Sequence, residues 1–414
     1  MTTTGFRHNH YVPRWYQERF LPADRQQREL FCLDKTERSV RDSRGHRRTL
    51  PPVSREPLKK CFAQEDLYTL WFGGIPLTDL ERRFFGELDS KGREAVVYWG
   101  DYAFQSIDDD AVLKLLTFMS TQKLRTPKGL DWLAARLGTR DPTTVLAGVA
   151  QFRMIFNALW TECVWQIADA SASPTKFIVS DHPVTVYNRV YPPRHPPCQR
   201  SGDPDIHLNG THTIFPLSLD KVLILTNLSW AINPYGSPAK ERPHPIYEHD
   251  TFFDFTDIQL GRKLDEQEVR AINLIIKSRA YRYFAAAEED WLYPERYLPK
   301  GKWSRLGGPY LLMPDPRSLH HGGEVGIGYE DGSTSAFDAY GRTPLHPDYG
   351  RESLPPAGRD PLMRFKGEFA RMFGPVRRGW RHFDESGVDT DEHHEYHLSL
   401  DARGSRKRRG RKRD

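Results

Sequence analysis

Apolar positions along this 414-residue chain change their spacing twice, and each change predicts a change of element. Pro13 fixes its own φ and has no N–H, so it predicts a helix start, with Trp15, Tyr16 and Phe20 following at helical spacing. Glu29–Val40 reads as a hairpin, two apolar runs around an Asp34-Lys35-Thr36-Glu37 turn. From Gln64 to Ala170 the period is helical, in Asp66-Leu67-Tyr68, Leu77–Trp99, Asp108–Arg125 and Val145–Ala170. Asp108, Asp109 and Asp110 open the third stretch and suit its positive dipole end, while Val112, Leu115, Leu116 and Met119 share one face.

Beyond Pro174 the period becomes that of strands. Lys176–Tyr187 has a buried-strand composition broken by a polar kink at Ser180-Asp181-His182-Pro183. Thr213–Leu217 and Val222–Leu225 flank a Ser218-Leu219-Asp220-Lys221 turn. Pro183 and Pro216 cannot sit in a central ladder, so their strands bend or run along edges there, and Pro192–Pro197 is loop. Asp265–Ala287 is the last strong helix, with Asp265 as its cap and Val269, Ile272, Ile276 and Tyr283 facing inward. Helices and strands segregate along the chain, which predicts an α+β fold: a helical bundle-like layer packed on a small, mostly antiparallel sheet, with a loop-rich C-terminal extension.

Residues 1–299 read as one core domain, 300–385 as a Pro/Gly-rich peripheral extension and 386–414 as a disordered basic tail. Glu324–Gly332 has the glycines of a phosphate loop, but no helix follows and Asp331-Gly332 is a hairpin turn signal. No internal repeat is visible.

Hydrophobic residues make up 38% of the chain and aromatics 12%, enough for a sizeable core. No run approaches the length of a membrane span, and Met1–Arg7 lacks the apolar region of a secretion signal. Cys32, Cys61, Cys163 and Cys198 show no metal-type spacing, so reduced thiols in a cytoplasmic protein are the expectation. The net charge is +5, yet Arg403–Asp414 holds eight Lys/Arg and one Asp, or +7, which leaves −2 for residues 1–402. Basicity therefore belongs to the tail. Arg403–Arg413 can bind nucleic acid or another polyanion through counterion release, or can simply keep the chain in solution.

Several chemistries are excluded by their missing signatures. The chain has no Gly-x-Ser-x-Gly elbow, no Walker-type loop, no His-Glu-x-x-His and no Cys-x-x-Cys. His8-Asn9-His10 spells the letters of a nuclease motif, but adjacent residues cannot converge on one metal by themselves, and the acidic and imidazole groups that follow, Asp24, Asp34, Asp42 and His46, lack its spacing. His393-His394-Glu395-Tyr396-His397 lies in the acidic approach to the tail and reads as incidental.

The order of motifs resembles a bacterial family described as domain of unknown function 4238. The resemblance rests on His10-Tyr11-Val12-Pro13, Asp34-Lys35, Glu65-Asp66-Leu67-Tyr68, Leu80-Glu81, Gln122 with Leu124-Arg125-Thr126-Pro127, Ser180-Asp181-His182-Pro183, Phe215-Pro216-Leu217-Ser218 and Ile272-Asn273. These span residues 8–290, and their collinearity is what makes the set specific. Trp15 and Gln17 depart from a more aliphatic helix, and residues 300–414 have no counterpart. The resemblance implies a shared fold and pocket, and it transfers no activity.

Polar residues in those segments are the candidate site. His10 is a ligand or general base; Glu65, Glu81 and Asp181 are carboxylate ligands for Mg²⁺ or Mn²⁺; Arg125, with Gln122 three residues before it on one helix, is a clamp for phosphate; Ser180 and Asn273 are binding residues. Each has a structural alternative: a hydrogen-bonded corner for His10, a helix end for Arg125, a surface ion pair for Glu81 and a turn for Asp181. Two functions follow for that site, beside a third for the chain as an interaction scaffold that its basic tail tethers to a polyanion. One is metal-dependent hydrolysis of a phosphate ester such as nucleic acid or a nucleotide. The other is a non-catalytic module that binds a small-molecule ligand or senses it in a defence or stress system.

Overall fold

The computed structural model describes residues 8–72 apart from 38 and 42–46, 75–77, 85–102, 109–242 apart from 197 and 199–201, 258–319 apart from 307–309, and 324–328, 332–338, 343–347, 349 and 356–373. Glu81, the 386–414 tail with Arg403–Arg413, and the 393–397 His tract lie outside the described residues.

Two sheets and a helical layer share one hydrophobic cluster that includes Tyr11, Tyr16, Trp99, Trp165, Phe215 and Leu312. The architecture is α+β. The larger sheet has the order β11 (Thr185–Asn188), β12 (Thr211–Pro216), β13 (Lys221–Asn227), β9 (Cys163–Asp169), β14 (Ile258–Lys263), antiparallel except for the parallel β14–β9 pair. The smaller sheet runs β10 (Val179–Ser180), β15 (Tyr283–Ala286), β2 (Glu29–Asp34), β5 (Val53–Pro57), all antiparallel. The short strands β1 (His8–His10) with β6 (Ala63–Glu65), β3 (Ser39–Arg41) with β4 (Arg47–Thr49), β7 (Leu70–Phe72) with β8 (Ile75–Leu77), and β16 (Glu324–Gly328) with β17 (Thr334–Asp338) form separate ribbons. Helices are α1 (Arg14–Glu18), α2 (Gly86–Gly100), α3 (Asp109–Arg125), α4 (Pro127–Leu137), α5 (Pro142–Thr161), α6 (Leu228–Ile232), α7 (Glu266–Arg279) and α8 (Pro356–Phe373). Among the described residues no helix is long and apolar enough to cross a membrane.

The β12–β13 hairpin closes through Ser218–Lys221 as its pattern predicts, and β16–β17 is the hairpin signalled by Asp331-Gly332, with Gly332 at φ 81°. Asp265 caps α7 in a reciprocal capping box with Glu268, and Val269, Ile272 and Ile276 are buried.

Four readings are corrected. The helix expected to reach Ala170 stops at Thr161, and Cys163–Asp169 is instead the central strand β9; a run buried on all sides shows no periodicity that separates strand from helix. The last helix ends at Arg279 and not at Ala287, because 283–286 is needed as β15. Glu29–Val40 is not a hairpin. β2 has β15 on one side and β5 on the other, so residues 39–41 pair with 47–49. The helical period read from Gln64 gives way to strands at Ala63–Glu65, Leu70–Phe72 and Ile75–Leu77. Thr126-Pro127 terminates α3 as read and also begins α4, with the Thr126 hydroxyl accepting from the Gly129 N–H.

Pro13 precedes α1 as its N-cap, at φ −57° and ψ 142°. The helix is short but anchored: Tyr16 stacks on Phe215 with ring centroids 5.4 Å apart and gives its hydroxyl to the Pro216 carbonyl. In the C-terminal stretch, α8 buries Phe365 and Phe369 with Trp230 of α6 and Met313, an amphipathic helix that its Pro and Gly content conceals.

Helix α3 is the hub of the helical layer, touching α2, α4 and α5. Its sharp junction with α4 depends on Gly129, where a Cβ would stand 2.4 Å from the Lys123 carbonyl oxygen and 2.5 Å from that of Leu124. Backbone cannot yield as a side-chain tip can. Gly129→Ala is expected to lower stability by about 1–3 kcal/mol in urea unfolding, whereas Ala135→Gly, on the exposed face of α4, is expected to cost at most about 1 kcal/mol.

Candidate functional site

Residues singled out from the sequence motifs act mainly as joints between elements. Gln122 is fully buried; its Nε2 donates to the Tyr11 carbonyl at 2.6 Å and its Oε1 accepts from Arg125 Nε and Nη2 at 2.9 and 2.6 Å. Arg125 also donates to Asp89 at 2.6 Å and lies over the rings of Phe85 and Phe118. The Arg125 carbonyl accepts the Tyr68 hydroxyl at 2.9 Å, and the Tyr68 N–H donates to Asn9 Oδ1 at 3.2 Å. A buried network thus ties the opening segment to the end of α3, and it occupies the guanidinium intended as a phosphate clamp.

Asp181 is likewise fully engaged, since its carboxylate accepts the backbone N–H groups of Tyr281, Arg282 and Tyr283 at 2.8, 2.6 and 2.7 Å. It seats the chain between α7 and β15. Asn273 clamps α7 to the strand segment before β10, accepting from the Ile178 N–H at 3.2 Å and donating to the Lys176 carbonyl at 2.8 Å. The Ser180 hydroxyl accepts the His182 N–H at 3.2 Å.

His10 sits on β1 with Nε2 at 3.1 Å from the Lys59 carbonyl, and burial lowers its pKa. Glu65 is exposed on β6 and meets His8 Nδ1 at 2.8 Å. Neither His10 nor Glu65 joins Asp181: among the described residues no group of three or more His, Cys, Asp and Glu side chains is arranged to hold a metal ion.

Chemistry gathers instead on the immediate sequence neighbours of those joints. One residue along α3 turns a side chain by about 100°, so Lys123 leaves the face used by Gln122 and enters a second environment. Its ammonium donates to His182 Nε2 at 2.9 Å, to the Val184 carbonyl at 3.1 Å and to Asp203 Oδ2 at 2.5 Å. Lys128, in the first turn of α4, donates to Asp203 Oδ1 at 2.6 Å and to the Arg279 carbonyl at 2.7 Å. A single carboxylate therefore bridges two lysines. With Lys123 donating to Nε2, we assign the His182 ring proton to Nδ1, where it faces the Thr126 hydroxyl at 2.7 Å. His182 Nε2 and Asp203 Oδ2 lie 3.3 Å apart because both accept from the same ammonium.

Backbone geometry delivers these groups. The kink between β10 and β11 passes the chain from the smaller sheet to the larger, and His182 stands at that crossing. Asp203 follows Gly202, whose φ of 71° suits glycine and where a Cβ would meet Lys128 Cε at 2.6 Å. Arg279, at the end of α7, is buried with its face over Trp303 and donates to the carbonyls of Tyr191 and Gly202, holding both ends of the intervening loop.

Burial dominates the electrostatics. It pulls the His182 imidazole down to about 3, with Lys123 and Lys128 adding to the effect. It also lowers the Lys123 ammonium to about 8, against the opposing pull of Asp203. Burial resists ionisation of Asp203, but Lys123 and Lys128 outweigh it and hold the carboxyl well below its ordinary range. At neutral pH the Asp203 carboxyl is therefore ionised and the His182 imidazole neutral.

These side chains line one wall of a cavity of about 500 Å³. Trp132, Phe152, Ile155 and Phe156 from α4 and α5 supply an apolar wall, and Ile206 and Leu208 close it from the loop. Arg136, which is exposed, and His207, which pairs with Asp205 at 2.6 Å, also border it. Its size and its mainly apolar lining with a few charged groups are those of small-molecule sites in general.

His182 gives a pH test. Its native pKa is below the unfolded value, so the unfolded chain binds the extra proton and this group's stabilisation is lost as pH falls from 6.5 toward 3. Between pH 6.5 and about pH 4, urea unfolding should show wild type losing stability more steeply than His182→Gln, which has no imidazole to protonate; equal slopes would refute the buried neutral ring.

No curated protein and no solved structure matches this chain. Residues 149–290 match the family described as Protein of unknown function (DUF4238), a segment that carries His182, Asp203 and Arg279 and leaves Lys123 and Lys128 outside it. Over that segment, about a third of its length, the chain is similar to the domain of unknown function 4238 family.

Proposed function

We propose that the chain is a non-catalytic ligand-binding module whose cavity takes a small organic anion. The observation that carries this reading is the unequal charge lining an apolar cavity: among the described residues Lys123, Lys128 and Arg136 border it with Asp203 and Asp205. Three cations against two carboxylates leave one positive charge on its wall. An anionic head group placed against Lys123 and Lys128 relieves that imbalance. Its body then packs on Trp132, Phe152 and Phe156, where each Å² of apolar surface removed from water contributes about 25 cal/mol.

Hydrolysis of a phosphate ester is supported less well by this arrangement. It needs Glu65, Glu81 and Asp181 as ligands for Mg²⁺ or Mn²⁺, whereas Asp181 is spent on three backbone amides and Glu65 on His8. The pocket offers ammonium groups for binding, with a saturated hydrogen-bond set around Lys123, and its carboxylates Asp203 and Asp205 are already paired with the lysines and with His207.

Thermal denaturation with benzoate, phenyl phosphate and the neutral benzyl alcohol tests the proposal. The two anions are expected to raise Tm in wild type, by an increment that grows with concentration, and the alcohol is not. Trp132→Ala should weaken the shift about tenfold in concentration, in keeping with the roughly 1–3 kcal/mol carried by an aromatic contact. Equal shifts from the anions and the alcohol would remove the charge argument, and release of phenol from phenyl phosphate would replace binding by catalysis.

A further inference from the structure

Three strands, β3 to β5, separate Cys32 from Cys61 in sequence, yet their Sγ atoms lie 3.2 Å apart. Cys32 is on β2, opposite Ser54 of β5 and Ala285 of β15, and Cys61 lies in the turn that follows β5. Both are thiols in this structure. A disulfide bond is about 2.05 Å long, so closing the pair needs a movement of about 1 Å, which side-chain rotation and a slight shift of the turn can supply.

We propose that Cys32 and Cys61 are a reversible modification site, a dithiol that closes to an intrachain disulfide by exchange with a small-molecule disulfide of the glutathione class. Exposure sets the order of the two steps, because Cys32 is partly exposed and Cys61 is buried. The Cys32 thiolate attacks one sulfur of oxidised glutathione; the glutathione S–S bond breaks, a mixed disulfide forms on Cys32, and the first glutathione leaves and takes up the proton that Cys32 lost. Cys61, deprotonated, then attacks the Cys32 sulfur, forming the internal bond and expelling a second glutathione, which takes up the Cys61 proton. Two protein thiols are oxidised and one glutathione disulfide is reduced to two thiols. The hydrogen bond with Cys61 and burial hold the Cys32 thiol above its ordinary range, so the first step is slow at neutral pH and quickens as pH rises.

The bridge would act on the turn that receives the opening segment. The Lys59 carbonyl meets His8 and His10, the Cys61 carbonyl accepts from Gln17 at 3.1 Å, and the Phe62 carbonyl accepts the Tyr11 N–H at 3.1 Å. Phe62 itself is held at φ 49°, a left-handed conformation uncommon for a phenylalanine. Tying Cys61 to β2 covalently fastens this turn to the smaller sheet, and with it the docking of β1 and α1.

The full chain, equilibrated in buffers of graded oxidised-to-reduced glutathione at pH 8, acid-quenched and mapped by mass spectrometry without reduction, tests the site. A linked peptide pair containing Cys32 and Cys61 is expected, two hydrogens lighter than the separate peptides, while Cys163 and Cys198 stay unlinked. The closed form should melt at a higher temperature than the reduced form, and reduction should reverse the shift. In Cys61→Ser the same buffers should leave glutathione on Cys32, since the closing thiol is missing. Four free thiols at the most oxidising ratio, glutathione retained on wild-type Cys32 without closure, or linkage to Cys163 or Cys198 would each overturn the proposal.

Discussion

A buried carboxylate shared by two lysines governs the architecture around the cavity. Neither Lys123 nor Lys128 could be enclosed alone, because desolvating an ammonium costs several kcal/mol and the ordinary escape is to lose the proton. Asp203 removes that difficulty for both at once, and the loop that carries it must then lie across the α3–α4 junction. Gly202 and Arg279 are the means by which the loop is brought and kept there. Removing one member of such a set leaves the others uncompensated, so the cluster is either complete or strongly destabilising.

Two networks meet at the end of α3 without mixing. Gln122 and Arg125 turn toward Tyr11, Tyr68 and Asp89 and hold the N-terminal segment; Lys123 and Thr126 turn toward His182 and hold the cavity wall. The same division recurs at the strand kink, where Asp181 binds three backbone amides and His182 reaches Lys123 and Thr126. In both places adjacent residues serve opposite sides of one backbone. The structural network fixes the course of the backbone that carries the cavity side chains.

The motifs mark segments that border the cavity, while the side chains they single out, Gln122, Arg125 and Asp181, are engaged as joints between elements. Gln122, Arg125 and Asp181 look chemical because they are polar in an apolar context, which is equally the mark of a buried polar joint. Lys123 and Lys128 look like the solvated lysines of any helix, and nothing local distinguishes them. Asp203 stands in a Gly-Asp-Pro-Asp stretch that has the composition of an ordinary turn. The one available signal was pairing: two lysines flanking a Thr-Pro helix junction invite a carboxylate, but which of many acids answers is a long-range matter.

Local chemistry was enough to determine the α+β class, the Asp265 cap, the β12–β13 and β16–β17 turns and the amphipathic stretch of α3, since capping, turn preference and periodicity act within a few residues. Tertiary structure decided that Cys163–Asp169 is a strand, that β2 pairs with β15 and β5, that Thr126-Pro127 joins two helices, and that Lys123, Lys128, His182 and Asp203 share one cavity wall. The reason is the range of the forces involved: a buried run carries no periodicity, a strand chooses its neighbours across the whole chain, and the partner of a buried charge is selected by the free energy of desolvation, which exists only once the fold has excluded the water.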